Sequence, residues 1–153
     1  MIRTSLVKTT LAAAALGLSA AALSLAAALP AAANDVRIDQ YGWGNSAGGA
    51  QNGWSNRIRV HQGGNWNGAT AQQYGGRNLS VIGQEGWRNS AATYQTGNRN
   101  AAGIGQFGSN HTAILTQDGN GNIAAGVQVG NGCAADVAQG GNGNVAAFVQ
   151  SCP

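Results

Sequence analysis

Charge is scarce in this sequence. Asp, Glu, Lys and Arg make up 8% of it, against about a quarter of an ordinary soluble domain. So little charge excludes a solvated disordered chain, which stays unfolded through high net charge and low hydrophobicity. The glycine-rich stretch Gly140-Gly141-Asn142-Gly143-Asn144 holds no carboxylate, which argues against a calcium loop. It also lacks the Gly-Lys-Ser/Thr ending of a phosphate-binding loop. The two histidines, His61 and His111, lie far apart with no paired acid. The reading is therefore of a chain that is not an enzyme, with no catalytic, cofactor-binding or metal-binding residues and no cofactor. What the sequence has in abundance is glycine, 25 residues of 153. Glycine costs roughly 1 kcal/mol at each helix-interior position, which argues against a helical bundle.

Residues 1–33 differ from the rest. Arg3 and Lys8 form a short basic start, Leu11 to Leu29 runs apolar and Ala-rich without charge, and Ala31-Ala32-Ala33 offers small residues for cleavage. This pattern reads as a secretory signal peptide, with a mature chain from Asn34 and no stable membrane insertion. Without Arg3 and Lys8 the mature chain has six Arg against five acidic residues. That near-neutral balance does not suggest nucleic acid as a partner.

From residue 34 onward the sequence is periodic. Gln falls at Gln40, Gln51, Gln62, Gln73, Gln84, Gln95, Gln106, Gln117, Gln128, Gln139 and Gln150, eleven residues apart, and Gln72 alone is off this register. Two residues after each Gln comes Gly: Gly42, Gly53, Gly64, Gly75, Gly86, Gly97, Gly108, Gly119, Gly130 and Gly141, with Cys152 in the last slot. Five residues after Gln comes Asn: Asn45, Asn56, Asn67, Asn78, Asn89, Asn100, Asn122 and Asn144, with His111 and Cys133 as replacements and Asn34 on the same register.

An eleven-residue period also suits three helical turns, but the apolar residues alternate. In Asn56-Arg57-Ile58-Arg59-Val60-His61-Gln62, Asn, Ile, Val and Gln share one face, while Arg57, Arg59 and His61 share the other. Each unit reads as an eight-residue strand closed by an x-Gly-x turn. Two units make a 22-residue coil. The fold expected is an all-β solenoid of about five and a half coils, with two parallel in-register sheets joined by tight arches. Equivalent residues then stack ~4.8 Å apart. The inner face has an Asn row and a Gln row at its edges, each amide donating to its copy one coil on, around a thin dry centre. Ala47, Ala69, Ala91, Ala102, Ala113, Ala124, Ala135 and Ala146 fill one slot, with Ile58 and Ser80; Val60, Ile82, Ile104, Leu115, Val137 and Phe148 fill the next.

The unit Q-x-G-x-x-N-x-A-x-x-x-Q, doubled every 22 residues, resembles the curlin repeat of bacterial curli, the extracellular amyloid fibres of biofilm matrix. The resemblance covers Asn34 to Gln150. It implies a fibre subunit at the cell surface, major or minor, whose partners are further copies of itself, a second curlin-like subunit and outer-membrane secretion machinery. Well-known curlins carry a Gly-rich export segment before the first repeat and lack the two cysteines; here the repeat begins at Asn34.

Further expectations come from the residues. Monomeric solenoids carry atypical capping coils, and the motif leaves little sequence for caps, so end-to-end polymerisation is expected. The rival is a monomeric binding or adhesion solenoid. Its ice-binding form wants flat Thr ladders, but outward Thr is limited to Thr70, Thr112 and Thr116. All six mature Arg lie at or before Arg99, while Ile123, Val127, Val145 and Val149 face outward late in the chain. That reads as charged gatekeeping coils followed by fast-assembling ones. Trp43, Trp66 and Trp87 fall on one edge, as an exposed aromatic row or a cover for the arch. Cys133 and Cys152 reach the same corner in adjacent coils, so a disulfide is expected, with free thiols or intermolecular pairing as alternatives.

Overall fold

The computed structural model describes residues 33–153, so the signal-peptide reading of 1–33 lies, apart from Ala33, outside the described residues. Eleven strands follow one another: β1 Asp35–Trp43, β2 Ser46–Trp54, β3 Arg57–Asn65, β4 Gly68–Gly76, β5 Leu79–Trp87, β6 Ser90–Asn98, β7 Ala101–Ser109, β8 Thr112–Asn120, β9 Ile123–Asn131, β10 Ala134–Asn142 and β11 Val145–Cys152. The odd strands form a six-stranded parallel sheet in the order β1-β3-β5-β7-β9-β11. The even strands form a five-stranded sheet, β2-β4-β6-β8-β10. Each residue pairs with the one 22 positions on, as Gln40 with Gln62 and Gln51 with Gln73. This is the two-sheet parallel β-solenoid that the period implies.

Period-two alternation directs one set of side chains between the sheets. Ile58, Val60, Ala69, Ala71, Ile82, Ala91, Ala102, Ile104, Ala113, Leu115 and Ala124 form the buried core, with Ala47, Val137 and Phe148 packed partly against it. The centre is not wholly apolar. Ser80 and Thr93 face each other at 2.6 Å, both fully buried, and satisfy one another's hydroxyls. Each would otherwise cost roughly 1–3 kcal/mol as an unpaired buried group.

The arches depart from the expected shape. Strands are nine residues long, except β11 with eight, and pass through the repeated Gly. The chain turns two residues later, at a position that is left-handed in every described coil preceding a further strand. It is Ser55, Trp66, Arg77, Arg88, Arg99 or Asn110, with φ of 54–59°, or one of Gly44, Gly121, Gly132 and Gly143. The repeated Gly is needed for a different reason. At Gly97, with φ of 105°, an added Cβ would lie 1.9 Å from the Gly119 carbonyl oxygen one coil on. Backbones stack so closely there that only hydrogen fits.

Candidate functional site: the amide ladders and the end coils

The Gln side chains form two continuous ladders. In the odd sheet Gln40 Nε2 donates to Gln62 Oε1, Gln62 to Gln84, Gln84 to Gln106, Gln106 to Gln128 and Gln128 to Gln150, at 2.6–2.8 Å. In the even sheet the series runs Gln51, Gln73, Gln95, Gln117, Gln139, at 2.8–2.9 Å. From Gln51 onward, each Gln also sends an N–H to a carbonyl of the opposite sheet. Gln95 Nε2 reaches the Leu79 carbonyl, and Gln150 Nε2 the Ala134 carbonyl. Among the described residues no buried side-chain nitrogen or oxygen lacks a partner. A carboxamide has two donors and an acceptor, and the coil spacing uses all three.

The Asn row works differently from the amide-to-amide stacking expected of it. Asn78 Oδ1 accepts the backbone N–H of Asn100, and Asn78 Nδ2 donates to the Gly97 carbonyl. The same pair of bonds recurs for Asn56, Asn67 and Asn100. The shorter side chain sits against the arch and binds backbone groups that the turn would otherwise leave unpaired. It therefore closes the corners, whereas Gln joins the coils side chain to side chain.

His111 occupies an Asn slot, fully buried, and reproduces the first of the two Asn bonds, accepting the backbone N–H one coil on. Its Nδ1 accepts the Cys133 N–H, and its Nε2 faces the Phe107 carbonyl at 3.2 Å. An acceptor at Nδ1 and a donor at Nε2 is the neutral tautomer with the proton on Nε2. Cys133, in the next Asn slot, is disulfide-bonded to Cys152 with Cα atoms 5.7 Å apart. Cys152 stands opposite Gly130, so the bond ties the last strand to the corner beneath it.

A third ladder was not expected. Three residues after Gln95, Gln117 and Gln139 come Asn98, Asn120 and Asn142. Asn98 gives its backbone and side-chain N–H to Asn120 Oδ1, and Asn120 does the same to Asn142, at 2.9 and 3.1 Å. The sequence signal was the 22-residue spacing on one edge only, which an 11-residue search passes over. On the other edge Trp43, Trp66 and Trp87 are exposed. Trp54, given no role from sequence, lies on the Asn98 edge beneath the Arg77 guanidinium, 4.5 Å from its ring centroid.

Outside the solenoid the two ends differ. At β1 and β3, Asp35 carries an ion pair with Arg59, and Arg37 pairs with Asp39 at 2.8 Å. The Arg59 hydrogen bond holds the Asp35 carboxyl below the usual carboxylate range, and Asp35 raises Arg59 in turn. His61, expected to have no paired acid, does face one: the Glu85 carboxylate lies 2.9 Å from its Nε2, across to the next coil on the exposed surface. At β11, Val145 and Val149 are 74% and 80% exposed.

The model of the curlin associated repeat matches residues 31–64, 53–86 and 88–119, more than half of the chain. The chain belongs to the curlin-repeat family. The first two matches overlap over residues 53–64, one half coil. No curated protein matches the chain.

Proposed function

We propose that this curlin-repeat protein is a structural subunit of extracellular curli-like amyloid fibres, polymerising end to end through its terminal coils. One observation carries the reading. Among the described residues, the outer edges of β1 and β2 and of β10 and β11 face no strand, and the ladder that runs through the solenoid stops there with bonding groups unclaimed. Nothing described donates to Gln40 Oε1 or Gln51 Oε1, and Gln139 and Gln150 each have an N–H to spare. An open parallel edge is a template for another chain. Here it also presents the amide row that stabilises in-register stacks.

Residues 1–33 are proposed as a secretory signal peptide and 34–153 as the assembling unit, at the cell surface. Outer-membrane secretion machinery and a second curlin-like subunit are the proposed partners. The bulk subunit is favoured over a nucleating one because both ends carry the same ladder. The test is incubation of purified 34–153. Fibres with cross-β diffraction that bind amyloid dyes are expected. A dye-negative monomer persisting for days at high concentration would overturn the reading and favour a monomeric binding solenoid.

A further inference from the structure

The described residues form eleven strands, an odd number, and that parity constrains how two copies of 34–153 can meet. The inference rests on the fibre reading above. Successive strands alternate between the two sheets and climb half a coil each, ~2.4 Å. The last two strands are β10 in the even sheet and β11 in the odd sheet. The next free level therefore lies over β10, in the even column. A second copy set down without rotation places its β1 over β11, one level too high. It leaves a strand-sized vacancy above β10, with β10 and the second copy's β2 both unpaired. A copy turned by half a revolution about the solenoid axis places its β1 on β10 and its β2 on β11, and no level is empty.

We propose that successive subunits join in this second way, each rotated about 180° from the last, so that the two sheets exchange columns at every joint. The side chains at the two ends agree with it. Continuing the 22-residue register puts Gln40 of the next copy over Gln139 and Gln51 over Gln150. The spare Nε2 hydrogens of Gln139 and Gln150 then meet the unclaimed Oε1 atoms of Gln40 and Gln51. Each Gln from 51 onward sends one N–H to a carbonyl sixteen residues back, and Gln40 has no such partner among the described residues. In the rotated joint that partner is the Val145 carbonyl of the preceding copy, to which no described side chain donates. In the unrotated joint Gln40 faces the vacancy.

Size and charge match as well. Phe148 fills the inner slot of β11 and lies against Gly126 below, where a Cβ would come within 2.0 Å of its ring. Rotation sets Gly49 of the next copy in the same slot above, so the ring lies between two glycines. Without rotation Ile38 would press on it. Outside, rotation sets Arg37 beside Asp136, while the unrotated joint sets Arg37 and Asp39 against Ala147 and Val149. Val36 and Ile38, 46% and 38% exposed, become buried over Ala135 and Val137.

The direct test is helical reconstruction of fibres of 34–153 by electron cryomicroscopy. The rotated joint gives a rise of about 26 Å per subunit, with a half turn superposed on the solenoid's own twist. A rise of about 29 Å with no half turn overturns the joint and leaves the fibre reading standing. If the wild-type chain forms no fibres, both fall together.

Two sets of variants check the contacts. Arg37→Asp should slow elongation roughly fivefold, and adding Asp136→Arg should return it to within about twofold. Both positions lie on the outer face, and circular dichroism of the monomer verifies folding. No rescue by the second swap counts against the joint. Gly141→Ala is the sharper probe. In the monomer an added Cβ there meets nothing nearer than Asn144 Nδ2 at 3.7 Å. In the rotated joint it strikes the Gly42 carbonyl of the next copy, so a folded Gly141→Ala monomer should not extend. Under the unrotated joint it faces the vacancy, and normal growth of this variant would refute the proposal.

Discussion

Ile82 and Ile38 occupy the same slot of the repeat, yet Ile82 is 1% exposed and Ile38 38%. The first belongs to a coil with neighbours above and below; the second belongs to the end. The contrast holds for every row. Gln95 lies between Gln73 and Gln117, fully buried, whereas Gln40 and Gln150 each have a ladder partner on one side only. In a quasi-one-dimensional fold, stability is a sum over nearest-neighbour interfaces. An end coil is therefore chemically the same unit with half of its stabilisation missing. The two ends make up the deficit differently. Asp35, Arg57 and Arg59 cluster on the first coils, while a disulfide ties the last half coil.

The comparison is most sharply broken at the repeated Gly. Gly97→Ala should destabilise the monomer by about 4 kcal/mol or more, since its Cβ would overlap the carbonyl of a coil that cannot move away. Gly141→Ala in the same slot has no coil above it and should cost about 1–3 kcal/mol, the backbone strain alone. Denaturant unfolding of the two monomers measures the difference. Equal losses would show that the close approach is not what selects Gly.

The disulfide comes next. Its 19-residue separation predicts about 3 kcal/mol of stabilisation, concentrated in the coil it closes. Reduction should speed hydrogen exchange in Val145–Cys152 while leaving β5 and β7 protected. Uniform loss of protection would show that the last half coil does not open on its own.

Smaller still is the amide effect, and it should reverse between assays. Gln95→Ala strands the Gln73 N–H, the Gln117 Oε1 and the Leu79 carbonyl, and should lower monomer stability by roughly 2–3 kcal/mol. Gln40→Ala and Gln150→Ala should cost less stability but slow fibre growth more, because no covalent connection enforces stacking at the joint. Growth rates by dye fluorescence decide this, and equal slowing at all three positions would mean that the joint is not special.

The smallest effect concerns the charges of the first coils. The Asp35 carboxyl titrates lower in the fold than in the unfolded chain, because Arg59 hydrogen-bonds its ionised form. Its contribution is therefore complete above the unfolded carboxylate range and lost as pH falls through the lower folded value. Acid should loosen β1 before β5, as seen by hydrogen exchange, and Asp35→Asn should remove that selectivity. Both groups are exposed, so salt should weaken the effect.

Much of this was legible from residue 34 onward because the repeat is strict. The spacing of Gln, Gly and Asn is enough to specify strands, sheets, register and the inner face, since a one-residue slip would turn every core side chain outward. The corner of Cys133 and Cys152 followed from the same count. The arch itself was not legible. Its left-handed residue varies from Ser55 to Trp66 to Arg77, so composition carries no uniform mark, and only the backbone shows the constraint.

What the sequence alone determined was thus the coil: eleven residues per half coil, two strands per coil, and which side chains face in. A period in one dimension suffices for this, because stacking repeats the same contacts at every level. What only the tertiary structure decided was how those contacts are made. Gln bonds to Gln along the axis, while Asn turns aside to hold the backbone of the arch. His111 takes over the Asn role with two ring nitrogens, and Ser80 finds Thr93 across the core. These choices depend on the reach of each side chain to within a few tenths of an ångström. A spacing of residues along the chain does not contain that distance.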